Sequence, residues 1–320
     1  MWKATMGNKN KQQPKKMIGA EGFDLFYTEL FGSRWPLLKQ SLCGGTRYVK
    51  LSPGGQESYF LDPASVCAAL CLPVAEAAEV LDLCAAPGGK TLALASCMNR
   101  NARLFSNERS PERKGRLAHV IQTCLPEEIA ARITASCSDG ATWCTRESDR
   151  YDCILLDAPC SSERHVLTDE KYLKQWSPSR IKSLAMEQWA LLSSAYRLLA
   201  SGGYLVYATC ALSPQEDDDI VCRLLKKFPG ARIVDAEERN QIFLRNLAVL
   251  DPFVHDVPPE QPVACVESGP GQAMTAAVQQ LSLKDLYGLA EPTVYGLRIF
   301  PDKCDCAGPI YFSLVQKKTT

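Results

Sequence analysis

From residue 78 to about residue 230, short apolar runs alternate with segments of helical spacing. EVLDLCAAP leads into KTLALASCM, RLFSNERSPER is a strand followed by the start of a helix, and ARITASCSDG is a strand with a turn. YDCILLDAPC, apolar nearly to its end, is a fourth strand. WSPSRIKSLAMEQWALLSSAYRLLASGG reads as a long amphipathic helix, capped by Ser177 before Pro178 and stopped by Gly202-Gly203. YLVYATC is a fifth strand, and SPQEDDDIVCRLLKKFPG is a helix with acids at its start and lysines at its end, as the helix dipole favours. Strands that are apolar throughout must be covered on both faces, so the pattern predicts an α/β fold with a mostly parallel sheet and helices on both sides. TVYGLRIFPDKCDCAGPIYFSLVQKK predicts two further strands around a turn, closing the sheet antiparallel.

The remaining segments divide the chain. Residues 1–20 read as a basic, disordered arm with five lysines and no acid, suited to a solvated tail or to non-specific contact with RNA phosphates. Residues 21–75 read as a small N-terminal subdomain: FDLFYTELF and RWPLLKQSL have helical spacing, and LSPGGQESYFLDP reads as a loop. Residues 76–320 form the main domain, with 231–290, rich in Pro and Gly, as a surface excursion. Net charge is zero, which leaves nucleic-acid binding open because a local patch decides it. No apolar run is long enough for a membrane span, and the first residues lack the apolar core of a secretory signal. The fifteen cysteines, among them Cys67, Cys71, Cys97, Cys153 and Cys222, sit in apolar runs and read as reduced packing thiols of an intracellular monomer. No CxxC pair is present, and Cys304 and Cys306 have poor zinc spacing, so no metal is expected. A cytoplasmic location is expected, with an organelle, the mitochondrion, as the alternative.

VLDLCAAPGGKTLAL, residues 80–94, contains Gly-Gly-Lys-Thr, the tail of the triphosphate loop G-x-x-x-x-G-K-[ST]. The first glycine of that loop would fall at position 84, which is Cys84. A loop that wraps phosphates needs backbone conformations that only glycine adopts easily. The turn therefore serves another ligand.

In an open α/β sheet, ligands bind beyond the carboxyl ends of the strands. Those ends carry Cys84, Ala85, Ala86, Pro87, Gly88, Gly89 and Lys90, then Asn107 and Glu108, Asp139 and Gly140, Asp157, Pro159 and Cys160, and Thr209 and Cys210. A glycine turn followed about 20 residues later by an acid suits a nucleoside cofactor, the acid holding ribose hydroxyls. Glu108 follows Gly89 by 19 residues. These features alone allow NAD as well as S-adenosylmethionine. The dinucleotide fingerprint GxGxxG is absent, and Asp82 and Glu108 suit a ligand with a positive centre and a free ribose. Asp139 is a candidate for the adenine edge.

Cys160 and Cys210 each end an apolar strand and lead into a turn. The fourth and fifth strands are neighbours in this layout, so both thiols are expected to face one pocket. A thiolate is a strong nucleophile whose pKa, about 8.5 when free, needs local tuning. Carbon 5 of cytosine is too electron-poor to attack a sulfonium methyl. A thiolate added at carbon 6 makes carbon 5 enamine-like, and an acid near ring nitrogen 3 offsets the charge that develops. A base must then remove the carbon 5 proton so that the thiol leaves.

LDLCAAPGGKT (81–91), NERSPER (107–113), SDG (138–140), DAPCS (157–161), YATCAL (207–212) and GLRIFP…GPIYF (296–312) resemble the motifs of the Nop2/Sun family of S-adenosylmethionine-dependent RNA cytosine-5 methyltransferases. The matching residues run through nearly all of 55–315. DAPCSSERHVL and FDLFYTELFGSRWPLLKQSL look closest to the branch containing the mitochondrial ribosomal-RNA enzyme. The resemblance implies a Rossmann-like class I methyltransferase fold and S-adenosylmethionine as cofactor. It implies Cys210 as nucleophile, Cys160 in product release, and Asp157 orienting or protonating the base. Lys90 would reach toward cofactor and target, Glu108 and Arg113 would hold the ribose, and Asp139 and Gly140 would flank the adenine.

The implied substrate is RNA, ribosomal RNA before tRNA, with a protein partner for RNA recognition as a further expectation, since no separate RNA-binding module is evident. Arg164, His165, Lys171, Lys174 and Arg180 could line an RNA groove. A DNA cytosine-5 enzyme should carry an ENV tripeptide, which is absent. A small-molecule or protein methyltransferase would explain the cofactor turn but leave both cysteines idle. A non-catalytic assembly factor would be expected to have lost a cysteine or the glycine turn.

Overall fold

The computed structural model describes residues 17–257 and 281–319. In chain order its strands are β1 Val49–Leu51, β2 Tyr59–Leu61, β3 Glu79–Asp82, β4 Arg103–Asn107, β5 Ile133–Ser136, β6 Tyr151–Asp157, β7 Leu199–Thr209, β8 Ala231–Ile233, β9 Val254–Asp256, β10 Glu291–Pro292, β11 Leu297–Ile299 and β12 Ile310–Lys317. The helices are α1 Gly19–Phe31, α2 Trp35–Cys43, α3 Pro63–Leu70, α4 Gly89–Cys97, α5 Pro111–Cys124, α6 Glu127–Ala130, α7 Glu163–Thr168, α8 Glu170–Gln175, α9 Pro178–Leu198, α10 Asp218–Lys227, α11 Ala236–Leu250 and α12 Leu283–Gly288.

The main sheet has the order β10-β11-β12-β7-β6-β3-β4-β5, with β8 on β12. β3 through β7 pair in parallel, and β12 runs antiparallel to β7 and β11, as the sequence predicts. After β3 the chain adds β4 and β5 on one side, then crosses back to lay β6 on the other. The ends of β3 and β6 therefore form the topological switch point where such sheets open a ligand crevice.

Period-two alternation explains why these strands are apolar throughout. In β6, Cys153 and Leu155 enter one core while Ile154 and Leu156 enter the other. In β7, Val206 and Ala208 divide from Leu205 and Tyr207 in the same way. Helices α3, α4, α5, α11 and α12 supply the first core, and α9 and α10 the second.

Four expectations need correction. Gly202-Gly203 does not stop the long helix: α9 ends at Leu198 and β7 begins at once. The glycines instead form an irregularity in β7, where the pairing jumps from Tyr151↔Leu199 to Cys153↔Tyr204. Gly202 has φ +81°, and a Cβ on Gly203 would lie 2.9 Å from the Asp152 carbonyl oxygen. The segment LSPGGQESYFLDP is only partly loop, because its ends join a small antiparallel sheet of order β2-β1-β9.

The surface excursion at 231–290 fails over 231–257. Here α11 buries Ile242, Phe243, Leu247 and Leu250 in the first core, and Asn246 Nδ2 donates to the carbonyls of Leu70 and Leu72, each at 2.8 Å. The Pro- and Gly-rich stretch masks that apolar stripe. Residues 258–280, and 1–16 of the basic arm, lie outside the described residues. A boundary at 75 also cuts through packed structure, since α3 belongs to the first core. The N-terminal helices α1 and α2 form a third cluster with Trp176, Val166 and Phe300. They lie over the segment that follows β6.

Candidate active site

The turn after β3 is held from both sides. Ala85 N donates to the Asn107 carbonyl at 2.8 Å, tying it to the end of β4. Gly88 has φ +124°, and a Cβ there would lie 2.9 Å from Val120; at Gly89 it would lie 2.8 Å from the Tyr59 ring. The glycine pair thus lets α4 start hard against β2 and α5. Asp82 is buried and accepts from Thr91 Oγ1 at 2.7 Å, while its other oxygen has no partner among the described residues. Burial pushes its carboxyl up to about 7, against the pull of that hydrogen bond.

Cys84, Ala86, Lys90, Glu108, Arg113, Asp139, Gly140, Asp157, Cys160 and Cys210 all line one open cleft of about 390 Å³. Ala85, Pro87 and Gly89 line an adjoining lobe of about 180 Å³ that shares Cys84, Ala86, Lys90 and Asp157 with the first. Gly88 stays behind the turn. At the end of β4, Glu108 accepts from Ser110 N at 2.9 Å and pairs with Arg113 at 3.1 Å. Arg113 also donates to the Ala86 carbonyl at 2.7 Å, so it ties the acid to the glycine turn. Asn107 spans the ends of β3 and β5, donating to the carbonyls of Leu83 and Ser138. Asp139 is exposed at the rim and accepts from Ala141 N. Gly140 has a packing reason: a Cβ would sit 3.0 Å from Leu83 and 3.1 Å from Leu191.

On the opposite wall, Lys90 Nζ donates to Asp157 Oδ2 at 2.7 Å. Burial works against the Lys90 charge, but Asp157, with Cys210 and Asp82 behind it, outweighs burial and raises its pKa. The Sγ atoms of Cys160 and Cys210 lie 2.9 Å apart. The hydrogen bond to Cys210, followed by burial, holds the Cys160 thiol well above its ordinary pKa.

Behind the two cysteines lies a buried polar network that the sequence reading missed. Glu163 accepts from Tyr27 Oη, from Ser161 Oγ and, at 3.1 Å, from Leu212 N. Glu216 accepts from Ser161 N and from Gln188 Nε2, each at 2.9 Å, and Gln188 also donates to the Pro159 carbonyl at 2.8 Å. The network joins the Cys160 loop, the Cys210 loop, α9 and α1. Ser162, at the start of α7, takes a left-handed conformation with φ 53°, one that non-glycine residues seldom adopt and that is common at functional sites. Glu216 and its neighbours read in the sequence as acids at a helix start, and no spacing marks them as buried.

Burial, then the nearby Glu163, pushes the Glu216 carboxyl up to about 7 from an ordinary 4.5. The folded protein then holds a proton that the unfolded chain releases, so this contribution to stability is full below about pH 4.5 and is lost as pH rises through about 7. Glu216→Gln stays neutral and keeps the bond from Ser161. The wild-type melting temperature is expected to fall more steeply than that of Glu216→Gln between pH 4.5 and 7.5. Equal slopes contradict the assignment.

The basic residues after DAPC do not form a free row. The Arg164 guanidinium is spent on carbonyls, donating to Gly308 at 2.7 Å, Cys306 at 2.9 Å and Leu42 at 3.1 Å. Lys174 pairs with Glu170, and His165 lies against Tyr172. Lys171 and Arg180 are exposed.

Sheet order and strand-end cleft together define a Rossmann-like methyltransferase fold. A methyltransferase homologue from Pyrococcus horikoshii shares it, with a TM-score of 0.57 and 17% identity over 93% of this chain and 94% of that one. The chain belongs to the family described as 16S rRNA methyltransferase RsmB/F, which matches residues 69–251. It is 36% identical over 177 residues to the 5-cytosine rRNA methyltransferase NSUN4 of Mus musculus, covering 53% of this chain and 45% of that protein. It is 34% identical over 202 residues to the mitochondrial tRNA (cytosine(34)-C(5))-methyltransferase of Danio rerio, covering 62% and 54%. The chain thus spans about half the length of these curated relatives. No helix among the described residues is long and apolar enough to cross a membrane.

Proposed function

We propose that the chain is an S-adenosylmethionine-dependent RNA cytosine-5 methyltransferase acting through a covalent adduct at Cys210. The observation that carries this reading is the pair of thiols 2.9 Å apart in the cleft that also holds the Lys90–Asp157 pair.

The cleft fits the cofactor. Its size is that of a small-molecule site, and its acids, Glu108, Asp139 and Asp157, suit ribose hydroxyls and a cationic ligand better than a pyrophosphate. When bound, S-adenosylmethionine supplies an electrophilic methyl group on a sulfonium centre. The Cys210 thiolate adds to carbon 6 of cytosine, forming the S–C6 bond and pushing the C5=C6 electron pair toward carbon 5 and the ring. Lys90, donating to Asp157 at 2.7 Å, and Asp157 are placed to offset the charge near ring nitrogen 3.

Cys160 then has a reason to wait. The largest influence holding it protonated is the hydrogen bond to Cys210. Once the Cys210 sulfur is bound to carbon 6, Cys160 is the thiol beside the adduct and the group placed to act as the base. With the methyl group on carbon 5 and the donor sulfur left as a neutral thioether, the Cys160 thiolate would take the carbon 5 proton, the C–H electrons would restore C5=C6, and the S–C6 bond would break to return Cys210 as a thiolate.

Ribosomal RNA is the substrate favoured by the family description and the mouse relative, and the zebrafish relative supports tRNA as the second reading. That relative's name also favours the mitochondrion over the cytoplasm. A protein partner for RNA recognition remains part of the proposal. The test is transfer of labelled methyl from S-adenosylmethionine to total RNA of cells lacking the protein, followed by mapping. A labelled ribosomal-RNA cytosine is expected. Label in tRNA overturns the substrate, and no label in any RNA with cofactor binding intact points to a missing partner or assembly intermediate, or to a non-catalytic assembly factor.

A further inference from the structure

The small sheet carries a face that the mechanism does not use. Its register sets Phe60, Lys50 and His255 side by side across β2, β1 and β9. Tyr48, two residues before Lys50 and just outside β1, is exposed at the end of the row. The opposite face packs inward, with Val49, Leu51 and Leu61 in the first core and Tyr59 against Gly89. The row points outward: Phe60 is 53% exposed and Tyr48 47%, His255 is exposed and Lys50 half-buried. The side chains of the four make no hydrogen bond, ion pair or ring contact among the described residues. The nearest acid in the strands, Asp256 beside His255, is half exposed and paired with Arg47 at 3.2 Å.

Two aromatic rings and two basic side chains in one row suit single-stranded nucleic acid. Rings stack on bases of any sequence, and cations meet the backbone. The row also adjoins the cleft, because Phe60 lines the second lobe together with Lys90 and Asp157. A cytosine extruded into the cleft leaves its flanking nucleotides at the mouth. A docked protein would favour an apolar centre depleted of charge, whereas here basic residues alternate with rings.

We propose that this sheet face binds the single-stranded RNA flanking the target cytosine, with a flanking base stacked on Phe60 and phosphates at Lys50 and His255. The inference rests on the RNA reading above and adds where the strand runs. It gives the N-terminal segment a substrate-positioning role that Arg164 and its neighbours do not fill.

The test is fluorescence anisotropy of a labelled, cytosine-containing single-stranded RNA titrated with the full chain. Phe60→Ala is expected to weaken binding by about 5- to 150-fold, the range of one lost base stack, and Phe60→Trp to retain it. Lys50→Gln is expected to reduce the salt dependence by about 0.7 in log–log slope. Leu244→Ala, on the exposed side of α11, is the control expected to leave binding unchanged. Phe60 is largely exposed, so melting temperatures should not move. Binding by both Phe60→Ala and Lys50→Gln within about twofold of wild type overturns the proposal and leaves the face to a protein partner. A wild type without measurable RNA affinity also overturns it. Methyl transfer, read in parallel, separates the two claims: Phe60-dependent binding without transfer sinks the enzymatic reading alone, and transfer with unaltered Phe60→Ala binding sinks this one alone.

Discussion

Replacing Cys210 with alanine is expected to lower methyl transfer by on the order of 10⁴-fold or more, the scale seen when a covalent nucleophile is removed. S-adenosylmethionine affinity should stay within about twofold of wild type. The reasoning is geometric. Cys210 lines the cleft opposite Glu108 and Asp139, so its loss removes the sulfur that activates the base without touching the residues that suit the ribose and adenine. Neither is it a packing residue of the three apolar clusters, so the fold should survive. Isothermal titration with the cofactor and a methyl-transfer assay on the same preparation separate the two effects. Full activity in Cys210→Ala would remove it as nucleophile.

Cys160→Ala has a different expected signature. Attack by Cys210 and methyl transfer should still proceed, because neither needs the second thiol. Release should not, since the base that takes the carbon 5 proton is missing. Turnover is expected to fall by about 10²–10⁴, the usual contribution of a positioned acid or base, while a protein–RNA adduct that survives denaturing electrophoresis accumulates. The 2.9 Å separation matters here: a base that close to the attacking sulfur acts on the carbon next to the one attacked. Wild-type protein should show little adduct under the same conditions. A Cys160→Ala preparation that turns over normally, or forms no adduct with RNA that the wild type methylates, contradicts the release role.

The parts of the molecule that were legible in the sequence are those where chemistry and local structure demand the same residues. Gly88-Gly89 can be read because a tight turn into α4 excludes side chains, and the structure supplies the reason in Val120 and Tyr59. DAPC and YATC can be read because each cysteine interrupts an apolar strand at its carboxyl end. Pairing of β6 with β7, Asp157 opposite Ala208, then brings both loops together.

Glu163 and Glu216 were illegible for the converse reason. A buried acid looks like a surface acid until its partners are known, and these partners, Tyr27, Leu212 and Gln188, come from distant parts of the chain. The segment 231–257 was misread because proline and glycine nearby outweighed a four-residue apolar stripe. The β2-β1-β9 sheet was missed because its strands are three residues each, too short for alternation to register, and β9 arrives from 200 residues downstream.

The most direct test of the account is to identify the residue that carries the RNA. The adduct trapped with Cys160→Ala would be digested with nuclease and protease, and the nucleotide-bearing peptide sequenced by mass spectrometry. The expected result is a methylated cytidine nucleotide joined through sulfur to Cys210. A nucleotide on Cys84, or on any residue other than Cys210, would contradict it.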